Sequence, residues 1–225
     1  NNNPMDHLGH GTHVAGIACG ATNNGIGAAG TSWNSKIMVL RAGYKASDGN
    51  GYLEFYDVAN AIVYAADNGA DIINMSFGSI YDSSIMRDAV NYAVSKGVLL
   101  VAAAGNVTSE YAKAPFYPAA YDSVIAVAAT DQKDKLCIFN WTTFSNFGTF
   151  VDVTAPGINI FSTLPSGRYG YLSGTSMATP FVSGLAALIK SYNPEFTASM
   201  IEAKIKGAAD NIDSVNQDFF RGYLG

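Results

Sequence analysis

From residue 55 onward the sequence alternates between two kinds of segment, and this alternation limits the folds open to the chain. Gly97 to Ala104 and Asp122 to Ala129 are apolar almost without a break, and Ala70 to Met75 is a shorter run of the same kind. Between them lie helical patterns: Phe55 to Asn68, with apolar positions at Val58, Ala61, Ile62 and Ala65, and Ser84 to Ser95. A strand buried on one face alternates apolar with polar residues, whereas one buried on both faces is apolar throughout. Lys36 to Arg41, Phe150 to Val153 and Gly157 to Ser162 read as further strands. The pattern predicts an α/β fold of three layers, an open parallel sheet with helices on both faces. Ligands of such sheets bind beyond the carboxyl ends of the strands, so the residues following each strand carry the interest.

A length of 225 residues suits one domain, 1–225, around one core. A net charge of -5, with only 13 scattered Lys and Arg, argues against a nucleic-acid partner. The longest apolar run, Val98 to Ala104, is far short of a membrane span. Cys19 and Cys137 have no cysteine or histidine at ligand spacing and read as packed thiols. The chain opens on Asn1 in a polar, turn-rich stretch and closes on Gly225 without a finishing element, which reads as a piece of a longer protein, truncated at both ends.

Phe181 to Tyr192 is apolar or small on every side, as in a buried helix. With Pro180 expected in its first turn, the helix begins near Ser176 and ends before Asn193-Pro194. Ser176 then stands where unpaired N–H groups and the helix dipole favour developing negative charge, as a nucleophile or simply as a cap. His10 and His13 lie in a short helix of small residues, Gly9 to Ala18, with His7 just before it. A hydrolytic zinc helix needs two histidines four apart with a glutamate between them, and this spacing of three has none. After the strand ending at Ala104 comes Gly105-Asn106, a turn asparagine or a donor for an oxyanion.

Taken together, Gly9-His10-Gly11-Thr12-His13-Val14-Ala15-Gly16, Ala102-Ala103-Ala104-Gly105-Asn106 and Gly174-Thr175-Ser176-Met177-Ala178-Thr179-Pro180 resemble the histidine, oxyanion and serine motifs of the subtilisin-like serine proteases, and Asn74 to Gly78 resembles one wall of their cleft. The resemblance implies a subtilisin-like fold and a serine endopeptidase acting through an acyl-enzyme. His10 would be the general base, Ser176 the nucleophile, Asn106 the oxyanion donor and His13 a packed structural residue. It further implies that Ser76, Phe77 and Gly78 on one side, and Gly49 and Gly51 on the other, pair with an extended polypeptide substrate. Ala103, Ala104 and Gly105 would line a first specificity pocket open to bulky apolar side chains. Thr22, Asn24, Ile26 and Ala28 resemble a calcium-binding loop, although a plain Asn-Gly turn reads the same residues. A secreted monomer is implied, with its own propeptide as a second partner.

The aspartate of the triad has no counterpart. Asp6, four residues before His10, matches no part of the family's aspartate motif. Either the aspartate lies upstream of this chain, or the chain is a pseudoprotease that binds peptides in the same cleft. An esterase of the other α/β-hydrolase type would need Gly-x-Ser-x-Gly and its histidine last in order; Ala178 and the early His10 oppose that.

Overall fold

The structure, a computed structural model, describes residues 4–108, 111–138 and 145–224, so Asn1 to Asn3 of the turn-rich opening and the closing Gly225 lie outside the described residues. In chain order the elements are α1 (His10–Cys19), β1 (Gly43–Lys45), β2 (Gly51–Leu53), α2 (Phe55–Asp67), β3 (Ile72–Met75), α3 (Ser84–Ser95), β4 (Leu99–Ala103), β5 (Val124–Thr130), β6 (Val153–Pro156), β7 (Ile160–Leu164), β8 (Arg168–Leu172), α4 (Thr175–Tyr192) and α5 (Ala198–Ala208). The parallel sheet runs β3-β4-β5-β6, and two antiparallel hairpins, β1-β2 and β7-β8, stand apart from it.

The unbroken apolar strands are explained by what covers each face. Leu100 and Ala102 of β4, with Val124 and Ala126 of β5, pack against Val58 and Ile62 of α2 and Met86 and Val90 of α3. Their neighbours one residue away, Leu99, Val101, Ile125 and Val127, pack on the opposite face against Ala178 and Val182 of α4 and Ile201 and Ile205 of α5. Side chains alternate across a strand, so a sheet sandwiched between helices makes every position of its central strands a core position. The three-layer arrangement read from the sequence is present.

Lys36 to Arg41 does not form the strand expected of it. It is irregular, and Ile37 (49%), Met38 (40%), Val39 (58%) and Leu40 (38%) keep much of their surface in solvent. A strand exists only through its ladder partner. Among the described residues none runs alongside this segment, and β3 pairs only with β4.

Pro180 also lies deeper than expected. With Thr175 as the first residue of α4, it falls in the second turn rather than the first. An interior proline removes the bond to the carbonyl four residues back, here that of Ser176. That carbonyl accepts instead from the hydroxyl of Ser76, just past the end of β3, at 2.9 Å.

Candidate active site

Three strand or loop ends meet at the start of α4. Ser176 Oγ donates to the carbonyl of Ser76 at 3.1 Å, returning the bond that Ser76 Oγ makes to the Ser176 carbonyl, so the two serines are doubly joined. Thr175, fully buried, accepts the Gly105 N–H on its hydroxyl at 3.2 Å, and its own N–H donates to Asn106 Oδ1 at 2.8 Å. Because Thr175 supplies a donor, that end of the Asn106 side chain is the oxygen. Its Nδ2 has no protein acceptor among the described residues, lies toward Gly174, and is exposed to solvent with the rest of the side chain. A hydroxyl, a carboxamide donor and the Ser176 N–H, which has no protein acceptor among the described residues, thus share one site.

His10 opens α1. The carbonyls of Thr12 and His13 accept from Thr163 and Ser162 of β7, both at 2.8 Å, and His13 Nε2 lies 3.1 Å from the Gly170 carbonyl of β8. This hairpin grips the His10 end of α1 and leads, through Ser173 and Gly174, directly into α4. Gly16 makes the contact possible, since a Cβ there would lie 2.2 Å from Thr163 Oγ1. His13 is wholly buried and fastens these elements together, the packed role expected of it. Among the described residues no hydrogen bond joins His10 to Ser176. Catalytic bonds commonly tighten only when substrate is bound.

The His10 ring is open to solvent on one side and set among protein atoms on the other. Desolvation, the largest influence, lowers its pKa below the ordinary 6.5; the Asp6 carboxylate opposes this and His13 adds to it. The ring is therefore neutral at pH 7 and able to accept a proton.

Asp6 is a helix cap that sequence reasoning missed. Gly9, the residue before α1, has no side chain to cap with, and Asp6 instead accepts from the N–H groups of Leu8, Gly9 and Thr12, each at 2.8 Å, and from the Thr12 hydroxyl at 2.7 Å. Partial burial raises its pKa, but these bonds outweigh it and hold the carboxyl at about 2. A depressed carboxyl pKa contributes stability that is present above the unfolded value, 3.8, and is lost as pH falls through the folded one, about 2. Asp6→Asn should therefore melt lower than the parent at pH 7, by an amount equivalent to about 1 kcal/mol for a lost cap, and the difference should close between pH 4 and 2. Because the carboxylate favours the imidazolium of His10, the substitution should also move the His10 titration, followed by NMR, to lower pH. Melting curves that stay parallel down to pH 2 would remove the capping role.

The expected cleft residues divide. Gly78 is exposed at the rim beside Ser76 and Phe77. Ala103 and Ala104 are 2% and 0% exposed, and the methyl of Ala104 packs with Ala128 and Val151, so these two present almost no surface to a ligand. Gly51 pairs with Lys45 inside the β1-β2 hairpin, and Gly49, at φ 86°, forms its turn. Gly51 touches Leu8, where a Cβ would lie 2.3 Å from Leu8 Cδ1, which brings this hairpin next to the His10 end of α1.

Residues 21–29 enclose an open cavity of about 280 Å³. Asn24 Oδ1 accepts the Ile26 N–H at 3.2 Å, and Ile26 is 66% exposed. The loop offers neutral oxygens and no carboxylate, and among the described residues no three His, Cys, Asp or Glu side chains cluster. Calcium takes six to eight oxygens, so these residues fit as part of its shell and not the whole. Cys19 and Cys137 are free thiols, the latter pushed up to about 12, chiefly by burial. No helix among the described residues is long and apolar enough to cross a membrane.

Comparison with known proteins agrees with this geometry. Residues 1–223 match the family described as the Subtilase family. The thermophilic serine proteinase of Bacillus sp. (strain AK1) is 47% identical over 98% of this chain, which spans about half (52%) of that protein's length. Thermitase of Thermoactinomyces vulgaris is 46% identical over 97% of this chain, which covers 74% of that relative. Among solved structures, a psychrophilic protease designated S41 superposes with a TM-score of 0.77 at 33% identity, over 92% of this chain and 71% of its own.

Proposed function

The chain belongs to the subtilase family, and from that premise we propose that it is most of the catalytic domain of a serine endopeptidase. The observation that carries the reading is that Asn106 is tied to the start of α4 next to Ser176, its carboxamide oxygen held by the Thr175 N–H and its Nδ2 without a protein acceptor among the described residues. Ser176 Oγ attacks the peptide carbonyl carbon while its proton passes to His10. The oxyanion is held by Asn106 Nδ2 and the Ser176 N–H. His10 then gives its proton to the leaving amine, and an acyl-enzyme remains. Water repeats the sequence, losing a proton to His10 and releasing the acid. Ser76 to Gly78 offers backbone for an extended polypeptide to add to as a strand, with the Gly49–Gly51 hairpin opposite.

Asp6, held by four hydrogen bonds as a cap, does not serve as the triad's carboxylate. We place that residue on a strand upstream of Asn1. Two features support the placement: the edge of β3 that has no partner among the described residues, and the exposed apolar run Ile37 to Leu40, both of which a further strand would cover. The full-length protein should be labelled by a fluorophosphonate and should hydrolyse denatured protein. An intact coding sequence without that aspartate would favour the pseudoprotease reading instead. Action outside the cell, as a monomer made with a propeptide, accompanies the proposal.

Thr22, Asn24, Ile26 and Ala28 would contribute oxygens to a bound calcium ion, whose role is to stiffen the loop. Binding at a hundred times Kd stabilises by about 2.7 kcal/mol, so excess EGTA should lower the melting temperature by several degrees and Asn24→Ala should reduce the calcium dependence. Identical melts with calcium and with EGTA would remove the ion.

A further inference from the structure

The residues expected to line the first specificity pocket are Ala103 to Gly105, whose small size suggests an open slot, and Ser76 to Gly78 is the expected cleft wall beside it. The structure puts an aromatic ring there. A Cβ built on Gly78 would lie 2.4 Å from Phe116 Cε1 and 2.7 Å from its Cδ1. One built on Gly105 would lie 2.8 Å from Cγ and 2.9 Å from Cδ1 of the same ring. One edge of Phe116 is thus against both glycines at once, and the ring bridges the gap between them.

The segment bearing the ring is anchored. Tyr117, the next residue, exchanges two backbone hydrogen bonds of 2.8 Å with Ser79, which follows Gly78, and the Phe116 carbonyl accepts from Ala120 N–H at 2.9 Å. Phe116 is half-buried, with the Cδ1 edge of its ring set against the two glycines. The glycines themselves are required by this arrangement. Gly105 has φ 107°, which disfavours any side chain, and a methyl on either would collide with the ring.

We infer that Phe116 closes the first specificity pocket and restricts cleavage to substrates with a small residue, glycine, alanine or serine, before the scissile bond. The inference rests on the protease reading and replaces the expectation of a pocket for bulky side chains. A side chain that ends at Cβ or one atom beyond needs no room past the rim. A phenylalanine or leucine would need the volume the Phe116 ring holds, and close-packed groups do not yield such volume without displacement.

The test uses full-length protein and peptide p-nitroanilides that differ only in the residue before the nitroanilide (Gly, Ala, Leu or Phe), with active enzyme counted by fluorophosphonate titration. The parent should show kcat/KM at least about tenfold higher for Ala than for Phe, and Phe116→Ala should shift that ratio toward Phe by about 10- to 100-fold, the range for one pocket-filling group. Phe116→Leu, which keeps most of the packing, should fall between. A parent that cleaves after Phe as fast as after Ala, with a ratio that neither variant moves, overturns the inference while leaving the protease intact. Absence of both labelling and cleavage overturns the protease reading and this inference with it.

Discussion

Ser176→Ala is expected to lower peptide hydrolysis by the full-length protein about a millionfold and to abolish fluorophosphonate labelling. The magnitude is the one known for subtilisin, where loss of the serine or the histidine costs about 2 × 10⁶ in kcat. The variant is a clean test because of how α4 begins. The serine hydroxyl contributes one bond, to the Ser76 carbonyl, whereas the bond that replaces the one lost to Pro180 runs from Ser76 Oγ to the Ser176 backbone carbonyl and survives the substitution. Thr175, which ties the helix to Gly105 and Asn106, is also unchanged. Melting temperature should therefore shift by no more than one weak hydrogen bond's worth, about 1 kcal/mol, while chemistry disappears. His10→Ala should match it, and the double variant should be no worse than either single one, since the two groups act as a unit. Ser176→Ala retaining activity within a hundredfold of the parent would place the nucleophile elsewhere.

Much of this was legible beforehand, for physical reasons that differ between elements. β4 and β5 were visible because burial on two faces leaves no room for polar residues, and α2 and α3 because their apolar positions recur with the helical period. The sequence singles out Ser176 by its place at the start of a buried helix, Asn106 by its place after a strand, and His10 by the small residues of its helix, one of which, Gly16, permits the close approach of Thr163. What sequence could not supply was partnership. Ile37 to Leu40 has the composition of a strand, but composition does not say whether a ladder exists beside it. The three-residue strands of the β1-β2 hairpin are too short for periodicity to register, and of the β7-β8 hairpin only the first strand is anticipated, as Gly157 to Ser162. The pocket reads as open in the sequence because Ala103, Ala104 and Gly105 are small, and nothing in the sequence places the Phe116 ring beside Gly105, a contact made by a residue eleven positions later. Asp6 was weighed only as a stand-in for the triad, because nothing local announces a carboxylate that caps a helix from four residues before it.

Asn106→Ala is expected to cost 10²–10³ in kcat with KM little changed, the loss known for removing this donor from subtilisin. A donor that acts only on the oxyanion contributes to the transition state and not to ground-state binding, which is why kcat should carry the effect. In this chain the side chain has a second duty, because its Oδ1 accepts the Thr175 N–H at 2.8 Å and so helps fix the start of α4. Alanine removes both functions together. Asn106→Asp separates them: a carboxylate still accepts from Thr175, and the favourable field of a helix N-terminus should restore or exceed the parent's stability. It replaces the donor with a negative charge facing the oxyanion, so activity should fall at least as far as in the alanine variant. The expected pattern is a melting temperature that drops in Asn106→Ala and recovers in Asn106→Asp, with kcat low in both. If kcat recovered along with stability, Asn106 would be a structural clamp on α4, and the oxyanion would have to be held by backbone N–H groups alone.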